Sequence, residues 1–325
     1  MARSIIIGTG SSAPERVLTN RDLERMVETT DEWIRTRSGI SERRIAGAET
    51  TSSLSTEAAR RALEMAEVEP SELDLIIVGT ITPDMPMPST ACLVQQNLKA
   101  RKAGAFDVAA ACSAFVYALT IADKFIKEDP SRKVLVVGAE VMSSRVDWSD
   151  RQTCVLFGDG AGAAVLTGHK GRRRGILSTH LRSDGSLWQL LYIKGGGCLH
   201  PPGSPALDGV HFVKMKGSEV FKHAVRSMEE VAREALAANS LSGSDLDLFI
   251  PHQANIRIIE AIAQRLGVPM EKVFVNIERY GNTSAATIPI ALDEAVRAGR
   301  IKKNDLVLLD AFGGGFTWGA TLIRW

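Results

Sequence analysis

The sequence predicts an α/β fold built twice over from layered helices and sheets, and three observations carry that prediction. Short, continuously apolar strand candidates alternate with amphipathic helix candidates, the pattern of sheets covered on both faces. The chain also echoes itself at an offset of 173 residues: Glu57–Leu63 falls on Glu230–Leu236, and Ser71–Ile77 falls on Ser244–Ile250. Further along and in the same order, Lys133–Glu140 resembles Asp305–Phe312, and Gly162–Leu166 resembles Gly319–Ile323.

Each matched segment reads as part of a helix, turn and buried strand unit. Gly168–Gly175 breaks the periodicity, so the expected halves are residues 1–171 and 172–325. The Gly- and Pro-rich stretch Lys194–Gly209 reads as an excursion loop. With 325 residues and 45% apolar content there is ample material for a core.

Composition excludes several classes. With 39 basic against 38 acidic residues the net charge is +1, so no global field recruits nucleic acid or an anionic membrane. No run approaches the roughly eighteen apolar residues of a membrane span, and Met1–Ile5 lacks the marks of an export signal. The cysteines at 92, 112, 154 and 198 have no Cys-x-x-Cys pairing, and no Cys/His cluster has metal-ligand spacing. The expected setting is cytoplasmic and reduced.

Along the chain, strand Ile5–Ile7 runs into Gly8-Thr-Gly10, which fits the permissive dinucleotide fingerprint. Pro14 follows, however, and the next helix begins near Asn20, too late to place a phosphate at its N-terminus. Gly158-Asp-Gly-Ala-Gly162 lacks the Lys-Ser/Thr of a phosphate loop and reads as strand-on-helix packing. Gly195-Gly-Gly197 suggests mobility only.

Chemistry concentrates at Phe106–Phe115, where an extended run gives way to a long apolar-periodic helix with Cys112 at the junction. A thiol at a helix N-terminus sees the positive end of the dipole and unpaired N–H groups, both favouring the thiolate. Small neighbours leave room for an acyl group. Cys92 and Cys154 lie in apolar runs and read as core residues; nothing near Cys198 activates it.

His252 follows Leu246–Ile250 and so stands at a strand's C-terminal end, where open α/β sheets gather ligand groups. Asn282, after Gly281 and before Thr283-Ser284, sits in a second turn that follows an extended run and opens a helix. Singly, His252 reads as a half-buried histidine and Asn282 as a helix cap; with Cys112 they read as one site. In the repeat the Cys112 and Asn282 turns are near-equivalents, so two helix N-termini should meet at the centre. Gly313-Gly-Gly315 reads either as a flexible turn or as glycines that aim an N–H at a developing oxyanion.

These motifs are specific together. Ala109-Ala-Ala-Cys112-Ser-Ala, Pro251-His-Gln-Ala-Asn255, Gly281–Ala286 and Ala311–Gly319 resemble the β-ketoacyl-acyl-carrier-protein synthase III family, the initiating condensing enzymes of type II fatty acid synthesis. The resemblance covers essentially the whole chain. It implies a thiolase-like duplicated five-layer α-β-α-β-α fold, a homodimer, and a Cys112, His252 and Asn282 site. It implies an oxyanion held by the backbone N–H groups of Cys112 and Gly314. By resemblance Trp33 and Arg151 sandwich the adenine of coenzyme A, Arg37 meets its phosphate, and Asn255 lines the pantetheine tunnel. Lys222, Arg257 and Arg265 would dock the acidic carrier protein, although scattered cations also read as a solvated face. Met87 aligns with a position that reaches across the dimer to close the acyl pocket; packing of a proline-rich loop is its simpler reading.

The implied reaction is decarboxylative condensation of an acyl-coenzyme A primer, acetyl by default, with malonyl-acyl carrier protein. Coenzyme A is substrate, and no cofactor or metal is expected. No cysteine follows Cys198, which a degradative thiolase would want, and Asn282 stands where elongating enzymes carry a second histidine. A specialised relative in polyketide, quinolone or long-chain ketone synthesis is the alternative enzyme, and a silent acyl-binding module the alternative class.

Overall fold

The computed structural model describes residues 2–171, 173–201 and 209–325. The first sheet takes the order Arg3–Ser12, Asp159–His169, Val134–Val141, Leu75–Gly79, Gly104–Val108. Leu75–Gly79 runs parallel to both of its neighbours, and Asp159–His169 antiparallel to both of its own. The second sheet takes the order Leu248–Pro251, Leu306–Gly313, Thr317–Arg324, Gly175–Ser183. Only its first pair is parallel.

Helices cover both sheets and fill the space between them. Thr51–Ala66 and Thr90–Leu98 bury Leu54, Ala58, Ala62 and Val94 against the outer face of the first sheet. Gly217–Ala237 and Ile256–Leu266 bury Met228, Ala232, Ile259 and Ile262 against the outer face of the second. The middle layer is Ala114–Glu128 with Thr287–Arg297, whose Phe115, Leu119, Ile288 and Leu292 pack with Ile77 and Val136 of one sheet and Ile250 and Leu309 of the other. The result is five alternating layers. Sandwiching explains why Val134–Val141 and Leu306–Gly313 read as unbroken apolar runs: almost every residue in them is buried.

The repeat register reappears in the elements. Pro70–Glu72 and Gly243–Asp245 are equivalent single turns, Leu75 and Leu248 start equivalent strands, and Ala114 and Thr287 start equivalent helices. Asp159–His169 and Thr317–Arg324 take the same interior place in the two sheets, each antiparallel to both of its neighbours. One expected element differs. The turn at Asn282 follows a helical turn, Ile277–Tyr280, and Gly281 at φ 64°, where an extended run was expected.

Glycine decides how closely the middle layer approaches. Gly138 and Gly162 are paired across the first sheet. A Cβ on Gly138 would lie 2.2 Å from the Ala285 carbonyl oxygen, and one on Gly162 2.5 Å from the Pro289 carbonyl carbon. The Gly158–Gly162 run is therefore strand-on-helix packing.

Candidate active site

Two turns meet where the halves join. The single turn Ala111–Ser113 leads into helix Ala114–Glu128, and Ser284–Ala286 leads into Thr287–Arg297. Between them and the second sheet opens a cavity of about 1150 Å³ whose wall includes Cys112, His252, Asn282 and Gly314. The three side chains are only 9%, 3% and 7% exposed, so they meet the cavity and little else.

Cys112 corrects one expectation. Its position at a helix entrance is as foreseen, but burial pushes the thiol up to about 12, and the nearby Glu140 carboxylate adds to the shift. Hydrogen bonding from Ser284 and from the residue's own N–H opposes it without winning. Desolvation of a small anion outweighs the dipole of one turn. The resting sulfur is a thiol and needs a proton acceptor when it attacks.

His252 follows strand Leu248–Pro251, its N–H donating to the Asp310 carbonyl at 2.8 Å. Burial holds its pKa down at about 3, so the ring is neutral. Nδ1 lies 2.6 Å from the Thr287 hydroxyl. The Thr287 hydroxyl donates to the Ser284 carbonyl at 3.0 Å, so its oxygen accepts from Nδ1–H. We assign the Nδ1–H tautomer from this network, which leaves Nε2 as the unprotonated nitrogen. Asn282 is fixed in the same way: Oδ1 accepts the Ser284 N–H at 2.8 Å, so Nδ2 is the end left to donate. Asn282 stands one residue before the cap of this turn, which is Thr283, and its bond from the Ser284 N–H is what orients the amide.

Gly314 stands just beyond strand Leu306–Gly313. Its neighbour Gly313 presses on the nucleophile turn, since a Cβ there would lie 2.7 Å from the Cys112 nitrogen.

At the cavity mouth, Trp33, Arg37, Asn255, Lys222 and Arg257 line the wall. The Arg151 guanidinium lies 4.9 Å from the Trp33 ring centroid and that of Arg37 lies 5.4 Å from it. Arg151 also donates to the Glu28 carbonyl at 2.9 Å. Asn255 caps helix Ile256–Leu266 through Oδ1 and donates through Nδ2 to the Arg37 carbonyl at 2.8 Å, joining the two halves of the mouth. Arg257 lies over the Phe221 ring, and Lys222 pairs with Glu219 at 3.0 Å. Arg265 sits two turns beyond Arg257, paired with Glu229 at 2.8 Å. Met87 is 85% exposed, and its neighbours Met85 and Pro86, rather than Met87 itself, line this chain's own cavity.

Sequence reasoning missed several walls. Met142, Leu191, Gly195 and Gly196 line the cavity, so the glycine run does more than loosen a loop. The rest of that loop, 202–208, lies outside the described residues. Glu140 escaped notice because a lone acidic residue ending an apolar strand carries no motif. Its strand's Val-Gly-Ala run was the available signal, because a carboxylate there has to be buried.

The family model described as 3-oxoacyl-[acyl-carrier-protein (ACP)] synthase III matches residues 106–185, and its C-terminal counterpart matches residues 236–325. The beta-ketoacyl-[acyl-carrier-protein] synthase III of Aquifex aeolicus is 55% identical over 98% of this chain and 99% of its own length. Its namesake from Xylella fastidiosa is 56% identical over 98% of each. The crystal structure of 3-oxoacyl-[acyl-carrier-protein] synthase III from Aquifex aeolicus VF5 matches with a TM-score of 0.92 at 54% identity, covering 100% of both chains.

Proposed function

The chain belongs to the 3-oxoacyl-[acyl-carrier-protein] synthase III family, and from that premise we propose that Cys112, His252 and Asn282 carry out its reaction. It is a condensing acyltransferase on the thiolase fold, and it catalyses the initiating condensation of fatty acid synthesis. The observation that supports the residue assignment is the convergence of all three side chains on one cavity at the junction of the repeat.

In the first half-reaction the Cys112 sulfur attacks the carbonyl carbon of an acyl-coenzyme A, acetyl by default. The backbone N–H groups of Cys112 and Gly314 hold the oxyanion, and coenzyme A leaves as its thiol. In the second, malonyl-carrier protein loses carbon dioxide, and the resulting enolate attacks the acyl-cysteine. His252, once a proton stands on Nε2, and Asn282 Nδ2–H donate to the malonyl thioester oxygen, where charge accumulates. Each such donor is worth roughly 3 kcal/mol of barrier, about a hundredfold in rate. Carbon dioxide release draws the carbon–carbon bond formation forward.

Trp33, Arg37, Arg151 and Asn255 are assigned to coenzyme A, and Lys222, Arg257 and Arg265 to the acidic carrier protein. Met87, an exposed apolar side chain beside the cavity mouth, is assigned to the acyl pocket of a partner subunit in a homodimer. The reaction is proposed to proceed in the cytoplasm without a prosthetic group; among the described residues no helix is long and apolar enough to cross a membrane. No observation favours a specialised condensation in polyketide, quinolone or long-chain ketone synthesis. A panel of acyl-coenzyme A primers, each offered malonyl-carrier protein or malonyl-coenzyme A, tests the reading. Efficient condensation with acetyl-coenzyme A and the carrier-bound acceptor is expected; turnover only with malonyl-coenzyme A would contradict it.

A further inference from the structure

A fully buried guanidinium stands beside the Asn282 turn. Arg43, on strand Glu42–Arg44, has no solvent exposure. Among the described residues no carboxylate pairs with it, Glu42 pairing instead with Arg44 at 3.3 Å. A buried charge without a counter-ion is costly unless hydrogen bonds satisfy it. Here those bonds tie two distant stretches of chain together. Nη1 donates to the Leu18 carbonyl at 3.1 Å and to Asn20 Oδ1 at 2.9 Å, and Nη2 donates to the Val155 carbonyl at 2.8 Å.

Val155 leads straight into the segment that holds Asn282. The Asn282 N–H donates to the Leu156 carbonyl at 2.8 Å, and the Gly158 N–H donates to the Asn282 carbonyl at 3.1 Å. Phe157 stands opposite Asn282 in this short parallel bridge. The packing there leaves no slack. A Cβ on Gly281 would lie 2.8 Å from the Leu156 carbonyl oxygen and 3.3 Å from the Arg43 Cβ. One on Gly158 would lie 2.3 Å from the Tyr280 carbonyl oxygen and 3.1 Å from the Arg43 Cβ. The Ser41 N–H, two residues before Arg43, donates to the Glu278 carbonyl at 3.0 Å, just ahead of the same turn.

We propose that Arg43 is a positioning residue for Asn282. Its guanidinium pins Val155 to the Leu18–Asn20 segment, and the bridge from Leu156 to Gly158 carries that placement to the Asn282 backbone. Arg43 is no part of the cavity wall and meets no substrate. A planar fork holds three acceptors on two sides at once, which an ammonium on a flexible stem does not. Without the pin, residues 155–158 and Asn282 drift together, and a donor misplaced by about 1 Å costs up to about a hundredfold in rate. The inference rests on Asn282 as a donor to the malonyl thioester, so it concerns condensation and not acylation of Cys112.

The test is a double-mutant cycle of Arg43→Lys with Asn282→Ala, with Arg43→Met in place of Arg43→Lys should the lysine variant not fold. Melting temperature is recorded for every variant. Acylation by acetyl-coenzyme A and condensation with malonyl-carrier protein are timed separately in single turnovers. Arg43→Lys alone is expected to slow condensation by about ten- to a hundredfold, while acylation changes far less. In the Asn282→Ala background the same change should cost almost nothing further, because the donor it places is gone. An arginine that only supports the fold would slow both steps alike, or would cost as much without Asn282 as with it. Either result overturns the proposal, as does wild-type condensation in a folded Arg43 variant. If neither variant folds, Arg43 is a requirement of the fold and the proposal falls as well. Failure of the underlying assignment shows separately, as an Asn282→Ala enzyme that condenses at the wild-type rate.

Discussion

Ala111 and Ser284 stand 173 residues apart, each opening the single turn before a middle-layer helix, and both hold left-handed backbone, at φ 46° and 51°. The same unusual conformation therefore appears twice at the same register of the repeat. In the first copy it presents the next residue, Cys112; in the second it presents the hydroxyl of Ser284 itself. The duplication brings a nucleophile from one half against polar groups from the other.

That contact has almost no slack at Gly138. Gly138→Ala would drive a methyl group into the Ala285 carbonyl, 2.2 Å away, and push the Ser284 turn off Glu140 and Cys112. Overpacking of this kind costs about 1–3 kcal/mol. A lower melting temperature together with slower acylation by acetyl-coenzyme A is expected; wild-type values for both would contradict the packing described.

Removing the donors should separate the two half-reactions. His252→Ala and Asn282→Ala are each expected to slow condensation by about a hundredfold, while acylation of Cys112, measured in a single turnover, changes far less. Equal losses in both steps would mean that these groups serve the sulfur rather than the malonyl thioester.

The buried imidazole also leaves a mark on stability. Its pKa is lowered from the ordinary 6.5 to about 3 on folding, so the unfolded chain takes up this proton first as pH falls. The contribution is fully present above about 6.5 and is lost as pH falls through about 3. Urea unfolding of wild type should therefore weaken faster than that of His252→Ala over this window, by at most about 1.4 kcal/mol per pH unit. Parallel curves would show a ring that is charged in the folded protein.

How much of this was readable beforehand depends on what kind of signal each residue leaves. The layers were legible because sandwiched strands such as Val134–Val141 must be apolar on both faces, and the repeat register survived at Leu75 and Leu248. Cys112, His252 and Asn282 stood out because each lies in a turn at the junction of two elements. The thiol's protonation was not legible, since it depends on how deeply Cys112 is buried and on Glu140 from another strand. Gly195 and Gly196 were hidden for a similar reason: a loop has no periodicity to say which cavity it borders.

The mouth of the cavity makes a separate prediction. Arg151 now rests directly on Trp33, 4.9 Å from the ring centroid. The proposed adenine between them would need roughly 7 Å, two van der Waals contacts of about 3.5 Å, so on that proposal Arg151 swings off the ring when coenzyme A binds. Trp33→Ala should raise KM for acyl-coenzyme A by about five- to a hundredfold, the worth of one stacked base, with kcat nearly unchanged. A selective loss in kcat would place Trp33 outside the coenzyme A site.

The central assignment is that one sulfur carries the acyl group between two substrates. Intact mass spectrometry of the enzyme mixed with acetyl-coenzyme A, before and after malonyl-carrier protein is added, reads it directly. Wild type should gain one acetyl group on Cys112 and lose it when the acceptor arrives, and Cys112→Ala should gain none. An acetylated Cys112→Ala protein, or an acetyl group on wild type that the acceptor fails to remove, would contradict the assignment.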